Sequence, residues 1–282
     1  MKLDEKITLI YCLCDDSVKH LNYTDDVQCQ MNTAEVITTV LTASLFHYGN
    51  IFYTIEFLEV HDYIPNMLSH SQLYRRWHRV PEEIWKFILY LLYRLLTNNK
   101  ASNEFSVDSF PAPACQPCRS YVCKLFKGRK YLGYCKSKKL KYYGLKVHLV
   151  VNSEGVITEF SITPASHNDS RAFAMMNLDL ESGSIIYADK AYTSYMVEDW
   201  LLELDGIKLL PQRRKNLKRQ HGFQLDKEIK RKRKIVETSI SSIQSSFPKA
   251  FQSNTGKGFE LKIVMFILAK NFRKFFQSFA TA

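Results

Sequence analysis

The sequence is short of the residues that mark non-globular chains. Ten glycines and eight prolines among 282 residues exclude a collagen-like or low-complexity chain. Long apolar runs are missing too. The best stretch, Ile84 to Leu96, is short and carries Lys86 and Arg94, so no membrane span is expected. Asp4 and Glu5 stand where a signal peptide is basic, so secretion is not expected either. The seven cysteines are odd in number and unevenly spaced. Without a secretion signal they read as reduced thiols of a cytoplasmic protein.

Several chemical signatures are also absent. There is no G-x4-G-K-S/T loop, which removes nucleotide hydrolysis of the P-loop kind. There is no His-Glu-x-x-His, the pair that binds zinc in metalloproteases. None of the eight histidines has Arg three residues later, so the His-x-x-Arg pair of tyrosine recombinases is missing. No repeat of solenoid length is visible.

What is present is an ordinary apolar fraction of 46%, and a length sufficient for a sizeable core in one or two domains. The formal charge is +11, from 39 Lys+Arg and 28 Asp+Glu. Residues 1–100 hold 9 of the former and 12 of the latter, a net −3, and the remainder holds 30 and 16, a net +14. A basic region of that size fits a polyanion, most simply nucleic acid. A solvated cationic face fits equally well on charge alone.

The first hundred residues read as helices. Asn32 or Thr33 can cap one helix, with Gly49 and Asn50 as stop signals. Ser69 or Ser71 can cap a basic helix with Arg75, Arg76 and Arg79, and Pro81 ends it. A short helix, a turn and a basic helix resemble a DNA-binding helix-turn-helix. An ordinary amphipathic helix with a cationic outer face is the commoner source of the pattern. Thr97 to Asn103 reads as a linker, so residues 1–100 and 101–282 are expected as two domains.

Beyond the linker the pattern changes. Phe105 to Asp108 alternates as a strand, broken by Phe110-Pro111-Ala112-Pro113. Tyr142 to Val151 and Val156 to Ile162 form a hairpin about Ser153-Glu154-Gly155. A helix capped by Asn168 or Asp169 follows, then a strand from Ser184 to Ala188, a helix from Met196 to Leu204 and a strand from Ile207 to Leu210. Two long helices close the chain, one from about Asp226 and one from Phe259 to Phe276. This order predicts an α/β layer, a mixed sheet flanked by helices, compatible with a ribonuclease-H-like fold.

Three acids stand out by position. Asp108 and Asp189 end apolar strands, where an idle carboxylate is poorly tolerated. Glu237 lies one residue off the apolar face of the late helix, beside Val236. Convergent carboxylates repel unless a cation separates them. Oxygen-only ligands suit Mg²⁺ or Mn²⁺, and a pair of such ions serves in-line phosphoryl transfer. Each acid also has a plain structural reading: Asp108 as a turn cap, Asp189 paired with Lys190, Glu237 paired with Arg233 one turn back.

Specific segments resemble a known family. Ile186-Tyr187-Ala188-Asp189-Lys190-Ala191-Tyr192 is similar to the second-Asp segment of DDE transposases from bacterial insertion sequences. Val236-Glu237-Thr238, with Phe247-Pro248-Lys249 and the run Gly256 to Lys262, is similar to their Glu region, and Val107-Asp108-Ser109-Phe110-Pro111 to their first Asp. Tyr143 to His148 and Thr163 to Arg171 resemble intervening segments, and Leu9 to Asp16 fits as well. The chain most resembles the insertion sequence 982 family over nearly its whole length.

The resemblance implies a ribonuclease-H-like catalytic domain that cuts element ends with metal ions and joins them to target DNA. It implies Asp108, Asp189 and Glu237 as catalytic acids and metal ligands, two Mg²⁺ or Mn²⁺ ions, double-stranded DNA as partner, and at least a homodimer to hold two ends. A Tyr-x2-Arg-x3-Glu-x6-Lys signature surrounds the Glu in related transposases. Here Arg233 matches, whereas Lys230 stands at the Tyr position and Gln244 at the Lys position, with Lys249 as a substitute. An inactive DNA-binding derivative and a nuclease of the same fold remain as alternatives.

From Lys208 to Lys234 there are 12 Lys+Arg against Asp226 and Glu228. Such a stripe beside the acids would hold a phosphate backbone. The DNA-contact candidates are Arg213, Arg214, Lys215, Lys218, Arg219, Lys230, Arg231, Arg233, Lys234 and Lys249, with Arg75, Arg76 and Arg79. Cys115, Cys118, Cys123 and Cys135 allow a thiolate zinc site, but no second C-x2-C pair is present. His167 reads as a surface loop histidine and Asp169 as a helix cap.

Overall fold

A computed structural model gives the structure of residues 1–100, 102–135 and 139–281. Ala101, within the expected linker, lies outside the described residues. By its internal contacts the chain divides into two units: Met1–Asn98 with Ile243–Ala282, and Asn99–Ser242. This differs from the expected second domain of 101–282. Residues 243–282 group instead with the N-terminal helices.

The helical unit contains α1 (Leu3–His20), α2 (Thr33–Phe46), α3 (Ile51–Val60), α4 (His70–Trp77) and α5 (Glu82–Leu96). As expected, Asn32 caps α2: its side chain accepts from the Glu35 N–H at 2.8 Å, and Glu35 returns a bond to the Asn32 N–H. Such a reciprocal cap satisfies two otherwise orphaned amides. The final helix of the chain, Gly256–Thr281, also belongs here. Its stretch Ile263 to Ala269 is buried on every side, which only a helix enclosed by others tolerates. Residues 61–69 separate α3 from α4. That is longer than the three- or four-residue turn of a helix-turn-helix.

The second unit is built on a six-stranded mixed sheet. Its strands are β1 (Glu104–Cys115), β2 (Leu132–Cys135), β3 (Leu140–Asn152), β4 (Ile157–Pro164), β5 (Ile185–Ala188) and β6 (Lys208–Pro211). The order is β2-β3-β1-β5-β6, with β4 also on β3. β1, β3 and β4 are antiparallel, while β5 and β6 run parallel to β1. Helix α6 (Asp169–Ala174) precedes β5, and α7 (Tyr195–Leu204) links β5 to β6. Helix α8 (Phe223–Ser246) follows. This is the expected ribonuclease-H-like mixed sheet, preceded by an all-helical region. No described helix is long and apolar enough to cross a membrane.

One expectation fails: β1 does not break at its prolines but runs through them to Cys115. The reason lies in the edges of the strand. The Asn103 carbonyl accepts from the Ile185 N–H, so odd positions of β1 present their backbone groups toward β5. That pairing stops at Val107. Pro111 and Pro113 are odd positions beyond it, so their missing N–H groups face an unpaired edge, where proline is tolerated. Opposite them, Gly144 admits a close approach. A Cβ there would lie 2.4 Å from the Ala112 carbonyl oxygen.

The two faces of the sheet are covered differently. Phe105 and Val107 of β1 and Ile186 and Ala188 of β5 pack with Phe173, Val197 and Leu201 of α6 and α7. The alternate residues turn the other way. Tyr187 and Leu210 pack on Ile229 of α8, and the Ser106 hydroxyl donates to the Lys232 carbonyl of α8 at 3.2 Å.

Candidate active site

The strand register brings the two aspartates together. The parallel ladder pairs Glu104 with Ile185 through Val107 with Ala188. Asp108 and Asp189 are the next residues on each strand. Because side chains alternate along a strand, Asp108 shares a face with Ser106, and Asp189 with Tyr187. That is the α8 face for both. Ligand sites of open α/β sheets commonly lie at such carboxyl ends of parallel strands.

Helix α8 presents a buried stripe of Ile229, Arg233, Val236, Ile240 and Ile243, the three- and four-residue spacing of one helix face. Four of the five are aliphatic. Arg233 is the exception, only 8% exposed. Its guanidinium reaches all three expected acids: Asp108 at 2.8 Å, Asp189 at 3.5 Å and Glu237 at 3.3 Å. Thus Glu237 does make its one-turn pair with Arg233, and the same arginine joins it to both aspartates. Asp189 contacts Arg233 where sequence offered Lys190.

Asp108 is the most buried of the three acids. Burial pushes its carboxyl above the usual range, Arg233 and the Ser109 N–H draw it back, and Asp189 adds repulsion. The Ser109 N–H bond is 2.8 Å long. Only a strong cation keeps such a carboxylate charged. As placed, the guanidinium stands between the acids. Among the described residues no three or more His, Cys, Asp or Glu side chains form a group able to hold one metal ion. The donor chemistry still suits a hard divalent cation, since three carboxylates surround one positive group and no softer ligand stands among them.

A second polar cluster lies on the opposite face of β1. Sequence reasoning missed it. Asn168, not Asp169, caps α6. Asp169 accepts from the Ser109 hydroxyl at 3.1 Å and pairs with Lys146 at 3.2 Å. His148 is fully buried, 3.2 Å from the Tyr192 hydroxyl and 3.1 Å from the Thr163 hydroxyl. Burial lowers its pKa to about 4, against the pull of Asp169. The cluster joins β1, β3, β4, α6 and the turn after Asp189. Its signal was the unexplained Tyr143–His148 segment, in which Lys146 and His148 alternate on one face of a strand.

The basic candidates separate by their partners. Arg213 forms a buried pair with Glu198, donating from Nη1 at 2.8 Å. Arg219 is bidentate to Asp199 and lies 4.7 Å from the Tyr195 ring centre. Arg214, Lys215, Lys218, Lys230, Arg231 and Lys234 are exposed. Lys232, not among the candidates, pairs with Glu104. Arg75, Arg76, Arg79 and Lys249 belong to the helical unit. Arg76 is committed there to Asp25 at 2.6 Å and to the Met31 carbonyl at 3.1 Å, while Arg75, Arg79 and Lys249 are exposed. Arg76 and Arg213 therefore hold the fold, which their sequence neighbourhood did not disclose. His167 is an exposed loop residue, as expected. All seven cysteines are free, and Cys115 lies in hydrogen-bond contact with Cys123, with burial as the first cause of a pKa near 11.

Comparison with known proteins places the fold and the family. The cryo-EM structure of a piggyBac transposase synaptic complex with hairpin DNA is similar in fold. The TM-score is 0.50 at 12% identity, over 98% of this chain and 73% of that one. No curated protein matches the chain. A family model described as "Transposase DDE domain" matches residues 99–247, which is more than half of the chain and contains Asp108, Asp189, Arg233 and Glu237. The chain belongs to the DDE transposase family.

Proposed function

We propose that the protein is a DNA transposase of the insertion sequence 982 type. It cuts the phosphodiester at the ends of an insertion element and joins the freed 3′-hydroxyl to target DNA. The observation that carries this reading is the meeting of Asp108, Asp189 and Glu237 about Arg233.

Asp108 and Asp189 would hold one Mg²⁺ or Mn²⁺, and Glu237 would help to hold a second. Bound there, divalent ions supply an activated water and stabilise charge on the attacking and leaving oxygens of an in-line displacement. The chain's own residues do the rest. Adjacent strand ends and one helix turn fix the three carboxylates on a single face. The exposed Arg214, Lys215, Lys218, Lys230, Arg231 and Lys234 supply a cationic surface for the phosphate backbone. Arg233 offsets part of the repulsion among the acids before the ions arrive. No covalent enzyme intermediate is required. Two ends must be held at once, so a homodimer is the smallest assembly that serves.

The test is cleavage of element-end DNA in Mg²⁺, followed by strand transfer to a target plasmid. Wild type should do both, and Asp189→Asn should do neither while still binding DNA. Equal cutting by Asp189→Asn would overturn the assignment. Cutting without joining would identify a nuclease, and DNA binding without cutting an inactive derivative.

A further inference from the structure

The helical unit holds a cavity of about 760 Å³, a size typical of small-ligand sites. It is formed by α3, α4, the segment around Phe251 and the final helix. Aromatic rings supply part of its wall. Phe52 stacks on His70, with ring centres 3.7 Å apart and planes at 19°. His70 in turn meets Tyr74 at 4.6 Å. Phe52 is 66% exposed, so a ligand stacked on it would remove apolar surface from water.

Lys262 lines the same cavity, although the residue is only 7% exposed. Its ammonium donates to the Gln252 carbonyl and lies 5.4 Å from the Tyr74 ring centre. Neither partner carries a formal charge. Arg75 and His78 also line the cavity, and among the described residues no Asp or Glu does. Burial lowers the pKa of Lys262, and of His70 and His78 with added repulsion from Lys262 and Lys257 respectively. A buried cation without a counter-charge is unfavourable until an anion arrives. The site therefore favours a ligand with both a flat aromatic face and negative charge.

We propose that this cavity takes one nucleotide of single-stranded DNA, its base against the Phe52–His70 stack and its phosphate against Lys262 and Arg75. Aromatic platforms with cationic flanks are the general means of holding single strands. A base paired within a duplex cannot offer its face in this way. The side-chain amides of Gln252 and Asn254 at the cavity wall can bond base edges. The choice of a nucleotide as the aromatic anion rests on the DNA reading above. A free mononucleotide shares the chemistry, and the experiment separates the two sources.

The full-length protein is titrated in EDTA against a 12-nucleotide oligothymidine carrying one central 2-aminopurine, whose fluorescence falls on stacking. Wild type should quench it saturably. Phe52→Ala should weaken binding at least tenfold and remove the quenching, and Lys262→Met should weaken binding by a similar factor. Phe52 is exposed, so its variant tests the idea even if Lys262→Met folds poorly. Unlabelled single strand should compete at least tenfold better than the same sequence as duplex or than deoxyadenosine monophosphate. Equal binding by wild type and Phe52→Ala, equal competition by duplex, or equal competition by the mononucleotide would overturn the proposal. The proposed cleavage needs a divalent ion that EDTA removes, so failure here leaves the carboxylate reading standing. Cutting by Asp189→Asn would sink that reading and leave the quenching result unaffected.

Discussion

The Arg233 guanidinium holds Asp108 at 2.8 Å from within the apolar stripe of α8. A charged residue in that stripe is tolerated because strand β1 turns a buried carboxylate toward it. The same guanidinium also spans Asp189 and Glu237. One cation thus pairs with three acids in a position where divalent ions would compete with it.

That competition is measurable. Arg233→Gln should destabilise the metal-free protein by about 3 kcal/mol, because Asp108 then lies buried and unpaired. The variant should also bind Mn²⁺ more tightly than wild type, as read by calorimetry without DNA. Unchanged stability in EDTA together with unchanged Mn²⁺ affinity would show that Arg233 does not offset the charge of the acids.

Glu237 is the most exposed of the three acids, with 55% of its side chain accessible. Glu237→Gln should fold as wild type does and bind end DNA normally. Its cleavage rate should fall by about 100-fold or more, on the scale seen when one group stabilising transition-state charge is removed. Gel-based cleavage alongside a binding shift checks both halves.

The surface basic residues should separate from the structural arginines. Each of Arg214→Ala and Lys215→Ala should lower the slope of log affinity against log salt by about 1, without loss of stability. Arg213→Ala should instead cost about 3 kcal/mol of stability by stranding Glu198. Denaturant titration and salt-dependent binding, run on the same preparations, make the comparison.

His148 makes the sheet sensitive to acid. Its folded pKa of about 4 lies below the ordinary 6.5. Between those values the unfolded chain takes up a proton that the folded chain refuses. Stability contributed by the neutral ring is complete above pH 6.5 and is lost as pH falls toward 4. His148→Gln should flatten the dependence of unfolding free energy on pH across that window. An equal slope in wild type and variant would assign the acid sensitivity to other groups.

Much of the fold was legible in local sequence. Asn32 and Asn168 announce the helices they cap, Gly155 the hairpin turn, and alternating apolar residues the strands beside them. The prolines of β1 misled, since their effect depends on which edge is paired, and pairing is not a local property. Arg76 and Arg213 looked like DNA contacts because charge density is visible in sequence while a partner such as Asp25 or Glu198 is not. The polar cluster of Ser109, Lys146, His148 and Asp169 was invisible as a unit, since its members come from separate elements.

By itself the sequence determined the element order, the basic excess of the later chain and the three acids at strand ends and on a helix face. These follow from periodicity, capping and composition, which act over a few residues. Tertiary structure decided the rest. The parallel register set Asp108 beside Asp189 on one face, and the pitch of α8 aimed Arg233 at them with Glu237 one turn beyond it. Packing of the final helix with the N-terminal ones fixed where the units divide and where Lys262 is buried. Each of these depends on contacts between residues far apart in the chain, and on which face of an element a neighbour covers.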